Sequence, residues 1–244
     1  MATQIDISVI IPTLNEADNL PQRILELSTA LNGESYEIIV SDGGSNDATP
    51  KLAAQLADRY VSGPSGRACQ LNVGAKQAKG RWLYFLHADT QPPVKLAYWF
   101  KWMDKNDCKA ACFQMRFDHR SPTLNLLGYC TRFDIDAFRY GDQSLLVRHD
   151  AFRSVAGYDQ SFHLMEGNDI VKRLKKKHGF TVLPDYVVTS ARKYRRYGAL
   201  YLQGIYIFIY CLRQLGLSQN RLLKFYRWSL NLPTTSEAGF LPST

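Results

Sequence analysis

Three short polar clusters hold most of the side chains in this chain that could do chemistry. Thr13, Asn15 and Glu16 follow the apolar run Ile7 to Ile11; Ser41, Asp42, Asn46 and Asp47 follow Tyr36 to Val40; His87, Ala88, Asp89 and Thr90 follow Trp82 to Leu86. Turn chemistry alone explains any one such cluster, since Asp, Asn, Ser and Gly are ordinary turn residues. Three clusters on one sheet edge point to a site. Asp89 leaves a hydrophobic strand that would hold its carboxylate rigidly in a crevice. A hard oxygen donor there suits Mg²⁺ or Mn²⁺, which take one or two carboxylates plus phosphate oxygens. His87, two residues back, shares that face if the strand persists. Arg67 stands near the start of an expected helix, where guanidinium and helix N-terminus together suit a diphosphate. No P-loop or dinucleotide fingerprint is present, which counts against ATP hydrolysis and nicotinamide chemistry.

The elements that must position these residues alternate in type. Ile7 to Ile11 reads as a buried strand stopped by Pro12, Glu16 to Asn32 as a helix ended by Gly33, and Tyr36 to Val40 as a second strand. Helices over Thr49 to Asp58 and Ala68 to Lys79 flank a short strand, Arg59 to Val61, and Trp82 to Leu86 is a fourth strand. Strands buried on both faces and separated by helices predict a mostly parallel sheet whose ligand lies at the carboxyl ends of the strands. Further on, Pro92 to Lys105 and Asn168 to Lys177 read as helices, Ala110 to Phe117 and Phe180 to Thr189 as strands, and Tyr197 to Trp228 as helical. The organisation expected is one α/β domain over 1–190, with a nucleotide-binding half (1–90) and an acceptor half (91–190). A basic, aromatic-rich helical section (191–232) and a tail (233–244) follow.

Composition narrows the class. The 244 residues are 45% hydrophobic and 21% charged, with a formal net charge of +8. That is ordinary globular composition and excludes disorder and collagen. The charge is divided: residues 172 to 227 hold thirteen Lys and Arg against the single acid Asp185, a net of +12, and the remainder is net −4. The five cysteines are scattered and odd in number, which fits reduced thiols better than a disulfide framework. Asp6 and Pro12 break any signal-peptide pattern, and no apolar stretch reaches the roughly 18 residues of a spanning helix. A cytoplasmic protein, peripheral on the inner face of the plasma membrane if it docks there, is expected.

At this point the chain resembles the family 2 glycosyltransferases. Five segments carry the resemblance, in order: Val9 to Glu16, Glu37 to Asp47, Asn72-Val73-Gly74 with Ala78-Lys79-Gly80, Leu83 to Asp89, and Gly157-Tyr158-Asp159 with Glu166 and Asp169. Phe85 to Asp89, Gly141-Asp142-Gln143 and Thr189 to Arg192 look like a bacterial subgroup, some members of which are named for arsenosugar biosynthesis. The resemblance implies the GT-A fold, with flanking helices on a mostly parallel sheet. It implies transfer of a sugar from a nucleoside-diphosphate sugar, a UDP-sugar first, to a hydroxyl acceptor, lipid-linked in some relatives. Pro12, Thr13, Glu16 and Asp42 would hold the base and ribose, with Arg67, His87, Ala88 and Asp89 on the rest of the donor. Asp89 would be the last carboxylate of the metal-binding Asp-X-Asp motif, and His87 replaces the first. Inversion in one displacement is implied, with a carboxylate base. Glycine stands at 167 where relatives place that base, so Glu166 is the first candidate and Asp169 the second. Asp142, Gln143, Arg192 and Lys193 are candidates for acceptor or phosphate contacts.

The basic end has two readings. Cations beside the apolar run Leu202 to Leu212 suit an anionic membrane interface. They suit equally a helix packed on the body or a homodimer contact. Nucleic acid is excluded, because the aromatics form an apolar run instead of lining a groove. A catalytically weak nucleotide-sugar or lipid-binding protein, suggested by Gly167 and His87, is the alternative to an enzyme. A sugar nucleotidyltransferase would need a Gly-rich loop where Pro12 to Glu16 stand.

Overall fold

The computed structural model describes residues 5–139 and 141–233. The rest of the expected tail, 234–244, lies outside the described residues. The strands are β1 (Ile7–Thr13), β2 (Tyr36–Asp42), β3 (Arg59–Ser62), β4 (Trp82–Phe85), β5 (Thr90–Gln91), β6 (Ala110–Phe117), β7 (Leu145–Arg148) and β8 (Thr181–Thr189). The helices are α1 (Leu20–Ala30), α2 (Thr49–Leu56), α3 (Arg67–Gln77), α4 (Leu96–Lys105), α5 (Pro122–Cys130), α6 (His149–Ser154), α7 (Glu166–His178), α8 (Arg192–Tyr197), α9 (Ala199–Gln214) and α10 (Gln219–Ser229). All strands form one sheet in the order β3-β2-β1-β4-β7-β6-β8-β5. The first four are parallel to one another, and β6 pairs parallel to β8. β7 enters antiparallel between β4 and β6, and β5 pairs antiparallel with β8. Neither β5 nor β7 is foreseen from sequence; β5, with two residues, is too short to carry a period.

Alternation along the strands divides the core. Val9, Ile11, Trp82 and Tyr84 join one apolar cluster with α1 and α4, while Ile10, Leu83 and Phe85 join another with α3, α6 and α7. The two clusters are the two faces of the sheet. All seven residues of β1 are buried, as a central parallel strand requires. Pro12 does not end β1: it pairs with Ser41, and the strand runs on to Thr13. The β4 pairing stops at Ile10, whose carbonyl accepts from Leu86 on that side. The donor that Pro12 lacks would point the same way, where no partner strand is present.

Other boundaries move for equally local reasons. The first helix starts at Leu20 rather than Glu16, because the backbone amides of Asn15, Glu16 and Ala17 donate to Ser45, Thr49 and Asp47. The fourth starts at Leu96 rather than Pro92, after Thr90 and Gln91 have paired at the sheet edge. Pro184 falls where β8 slips register against Phe113 and Gln114 of β6. The basic end is three helices, broken at Gly198 (φ +84°) and Gly216 (φ +85°), conformations that favour glycine. Leu202, Ile205, Ile209, Leu222, Tyr226 and Leu230 make a third core between α9 and α10, against which Leu164 and Met165 of the body pack. Each such buried side chain contributes roughly 1.5–3 kcal/mol.

Candidate active site

A cavity of about 210 Å³ opens at the carboxyl ends of β1 and β4. β1 delivers Pro12 and the loop after it Glu16; the turn after β4 delivers His87, Ala88 and Asp89. Strand β4 ends at Phe85, but a hydrogen bond from the Thr90 amide to the His87 carbonyl (3.1 Å) closes a turn, so His87 and Asp89 still share the cavity. Arg67 is the first residue of α3, Glu166 the first of α7, and Arg192 and Lys193 open α8; all four line the same cavity, with Asp142.

Charges alternate around this wall. Arg67 Nη1 lies 3.4 Å from Glu166 Oε1, and His87 Nδ1 lies 3.1 Å from Asp142 Oδ1. Burial works against the Arg67 charge, but Glu166, Asp142 and Asp89 outweigh it and hold the guanidinium above its usual range. Burial would raise Asp142; the hydrogen bond and charge of His87, with Arg67 and Lys193, hold it well below the usual carboxylate range. Lys193 is pulled down, first by burial and then by Arg67. Glu16, 4% exposed, is pushed up to about 7, chiefly by burial, with the Asp89 charge adding and the Asn19 hydrogen bond, Arg192 and His87 opposing. The site therefore offers cations to an anion while keeping one carboxyl poised to ionise.

A divalent ion has a partial home here. Among the described residues no three His, Cys, Asp or Glu side chains are gathered closely enough to hold one. Asp89 does place a carboxylate in the cavity beside cations suited to phosphate, so the ion would need phosphate oxygens to complete its shell.

Four of the expected site residues are not on the cavity wall, and each has other partners. Thr13 donates to Asp42 Oδ1 (2.9 Å), and Asp42 also accepts from the Gly44 amide (3.0 Å) and the Ser45 amide (2.8 Å). Both are at most 1% exposed and stitch the ends of β1 and β2 together. Gln143 is turned inward, donating to the carbonyls of Phe113 (3.2 Å) and Thr131 (3.4 Å). Asp169 bridges Arg173 Nη2 (2.7 Å) and Arg213 Nη2 (3.5 Å), tying α7 to α9. Several of the quoted motif residues prove to be braces as well. Asn72 donates to the Tyr158 carbonyl (2.7 Å) and accepts from its amide (3.0 Å), joining two of the segments directly.

The opposite wall is one that the sequence hid. Tyr194, Gln203, Tyr206, Ile207, Ile209, Tyr210 and Tyr226 line the cavity from α8, α9 and α10. The basic end is therefore part of the site, although its charge pattern reads as an appendage. The signal that could have found it is the run of tyrosines on an otherwise aliphatic helix, since a buried phenol needs a polar neighbour.

The geometry has counterparts. A dolichol-phosphate mannosyltransferase of Pyrococcus furiosus is 36% identical over 96 residues, covering 37% of this chain and 27% of that protein. An undecaprenyl-phosphate 4-deoxy-4-formamido-L-arabinose transferase of Salmonella paratyphi B is 32% identical over 97 residues, covering 36% of this chain and 30% of that protein. These matches span less than a third of the relatives' length. Among solved structures, the mannosyltransferase PcManGT of Pyrobaculum calidifontis, in complex with GDP-Man and Mn²⁺, superposes with a TM-score of 0.64 at 17% identity over 93% of this chain and 70% of that one. S. aureus TarS 1–349 with UDP-GlcNAc gives 0.60 at 16% identity, over 93% and 72%. These likenesses establish a GT-A fold. The sequence profile of Glycosyl transferase family 2 matches residues 8–163, and with the parallel sheet and its carboxyl-edge cavity in place, this chain belongs to that family.

Proposed function

We propose that this protein is an inverting glycosyltransferase that moves a sugar from a nucleoside-diphosphate sugar to a hydroxyl acceptor. The observation that carries the reading is the convergence of Glu16, Arg67, Asp89, Glu166, Arg192 and Lys193 on one cavity at the carboxyl edge of the sheet. The donor would lie with its nucleoside toward Pro12 and Glu16 and its diphosphate toward Arg67, Arg192 and Lys193. Mg²⁺ or Mn²⁺ would be held by Asp89 and by phosphate oxygens. When bound, it supplies charge stabilisation to the departing diphosphate. Arg67, at the N-terminus of α3, adds to that stabilisation. Glu166 is the base: its carboxylate faces the cavity from the first turn of α7 and is tethered by Arg67. It would take the acceptor proton as the hydroxyl oxygen attacks the anomeric carbon and the diphosphate leaves from the opposite side, inverting that carbon.

A UDP-sugar is the first donor to test and a GDP-sugar the second, following what TarS and PcManGT hold. The acceptor enters along the tyrosine wall of α9 and α10, which suits an amphipathic molecule such as a lipid-linked hydroxyl. The working place of such an enzyme is the cytoplasm, at the inner face of the plasma membrane. A weakened, binding-only protein is the second reading. What favours it is Gly167, where an added Cβ would stand 3.1 Å from Gly141 Cα, leaving little room for the side chain that relatives carry there.

A thermal-shift screen with UDP-, GDP- and dTDP-sugars, with and without Mn²⁺, tests the reading. One donor class should raise the melting temperature, more so with Mn²⁺. Asp89→Ala should melt like wild type yet lose the Mn²⁺-dependent part. Stabilisation by none of the donors would sink the proposal, and stabilisation without nucleoside diphosphate release would favour the binding-only reading.

A further inference from the structure

The chain from residue 186 to 233 contains no Asp or Glu and eight Arg and Lys. Four of these are engaged: Arg192 and Lys193 line the cavity, Arg213 reaches Asp169, and the half-buried Arg227 has contacts of its own. Arg195, Arg196, Arg221 and Lys224 point to solvent. Between and beside them, α9 and α10 expose large apolar side chains. Along α9, Leu200 (77% exposed), Ile207 (56%) and Phe208 (49%) recur at the spacing of one helical face, and Leu215 (78%) follows its end. On α10, Trp228 is 76% exposed. Ring contacts connect Phe208 to Phe225 (5.2 Å) and Phe225 to Trp228 (6.1 Å), so the two helices present one patch.

An apolar face ringed by unopposed cations asks for a partner that is apolar at its centre and negative at its rim. A second copy of this chain fits poorly, because a two-fold contact sets the same acid-free surface against itself. An anionic bilayer fits both halves of the pattern: acyl chains for Leu, Phe and Trp, and lipid headgroups for Arg and Lys. No helix of the described chain is long and apolar enough to cross a membrane, so these helices would lie in the interface.

We propose that the outer face of α9 and α10 docks this protein onto an anionic bilayer. Ile207 belongs both to this face and to the cavity wall, so docking sets the cavity mouth at the lipid surface. With the glycosyl-transfer reading, on which this clause alone rests, the acceptor is then drawn from the bilayer.

Co-sedimentation of the full chain with phosphatidylcholine vesicles, with and without phosphatidylglycerol, tests the docking. Binding should appear only with the anionic lipid and weaken as salt is raised. Each Lys or Arg near the surface contributes about a fivefold factor, so Arg196→Ser, Arg221→Ser and Lys224→Ser together should lower partitioning about a hundredfold. Phe208→Ser with Trp228→Ser should also abolish tight binding, and all variants should keep the wild-type melting temperature. No binding to anionic vesicles at low salt, or binding that the triple variant retains, overturns the proposal. So does light scattering that finds a dimer which Phe208→Ser with Trp228→Ser makes monomeric. The assay uses neither donor nor turnover, so vesicle binding without sugar transfer would sink the functional reading alone.

Discussion

Glu166 and Asp169 sit in the same turn of α7 and do different work. Glu166 faces the cavity with Arg67, whereas Asp169 is held between Arg173 and Arg213. Glu166→Gln should therefore lower nucleoside diphosphate release at least about a hundredfold and leave the melting temperature near wild type. Asp169→Asn should cost stability, about 1–3 kcal/mol for a charged hydrogen-bonded pair, and leave turnover per folded molecule intact. The opposite pattern would exchange the two assignments. Glu16 makes a separate prediction, in the protein without nucleotide or metal. Its carboxyl ionises near 4.5 when unfolded and is pushed up to about 7 when folded. The folded state thus holds a proton that the unfolded chain has already released. The associated stability is complete below about 4.5 and is lost as pH rises through about 7. Thermal melts across that window should show wild type falling relative to Glu16→Gln; parallel curves would remove the assignment.

The elements owe their closeness to motif residues that look functional in sequence. The Lys79 amide donates to Glu37 (2.7 Å), the Gly80 amide to Ser8 Oγ (2.8 Å), and Ser8 to Glu37 (2.7 Å). This knot fastens the end of α3 under β1 and β2. A Cβ at Gly80 would stand 2.5 Å from the Ser8 nitrogen and 2.8 Å from the Ile7 carbonyl carbon, both backbone atoms that cannot swing aside. Gly80→Ala should cost about 1–3 kcal/mol by overpacking, measured by denaturant unfolding. An unchanged midpoint would mean that the α3–β4 connection has slack. Asn72, clamped onto Tyr158, makes the same point: a resemblance can rest on residues that build the scaffold as much as on those that touch a ligand.

For the whole molecule, the +8 net charge is the sum of an acidic body and a basic end that serve one cavity. The body contributes the carboxylates, and α8 brings Arg192 and Lys193 across to face them. Arg195 and Arg196 on α8 and Arg221 and Lys224 on α10 stay outside, and α9 and α10 carry the exposed aromatic patch. One segment thus forms the inner wall of the cavity and the outer face proposed to dock on a bilayer. The break at Gly198 is what lets α8 and α9 take different directions.

The sequence by itself determined the alternating strands and helices, the sheet edge that carries the site, and the family. Those depend on short-range periodicity and on contiguous motifs such as Val9 to Glu16 and Leu83 to Asp89, which need no knowledge of distant contacts. Only the tertiary structure decided which polar residues face the cavity. Thr13 and Asp42 bond to each other, Gln143 to backbone carbonyls and Asp169 to two arginines, and each of these partners except Arg173 lies twelve or more residues away. It also decided that the tyrosines of α9 and α10 close the cavity. Hydrophobic pattern states that a helix face is buried, but not against what.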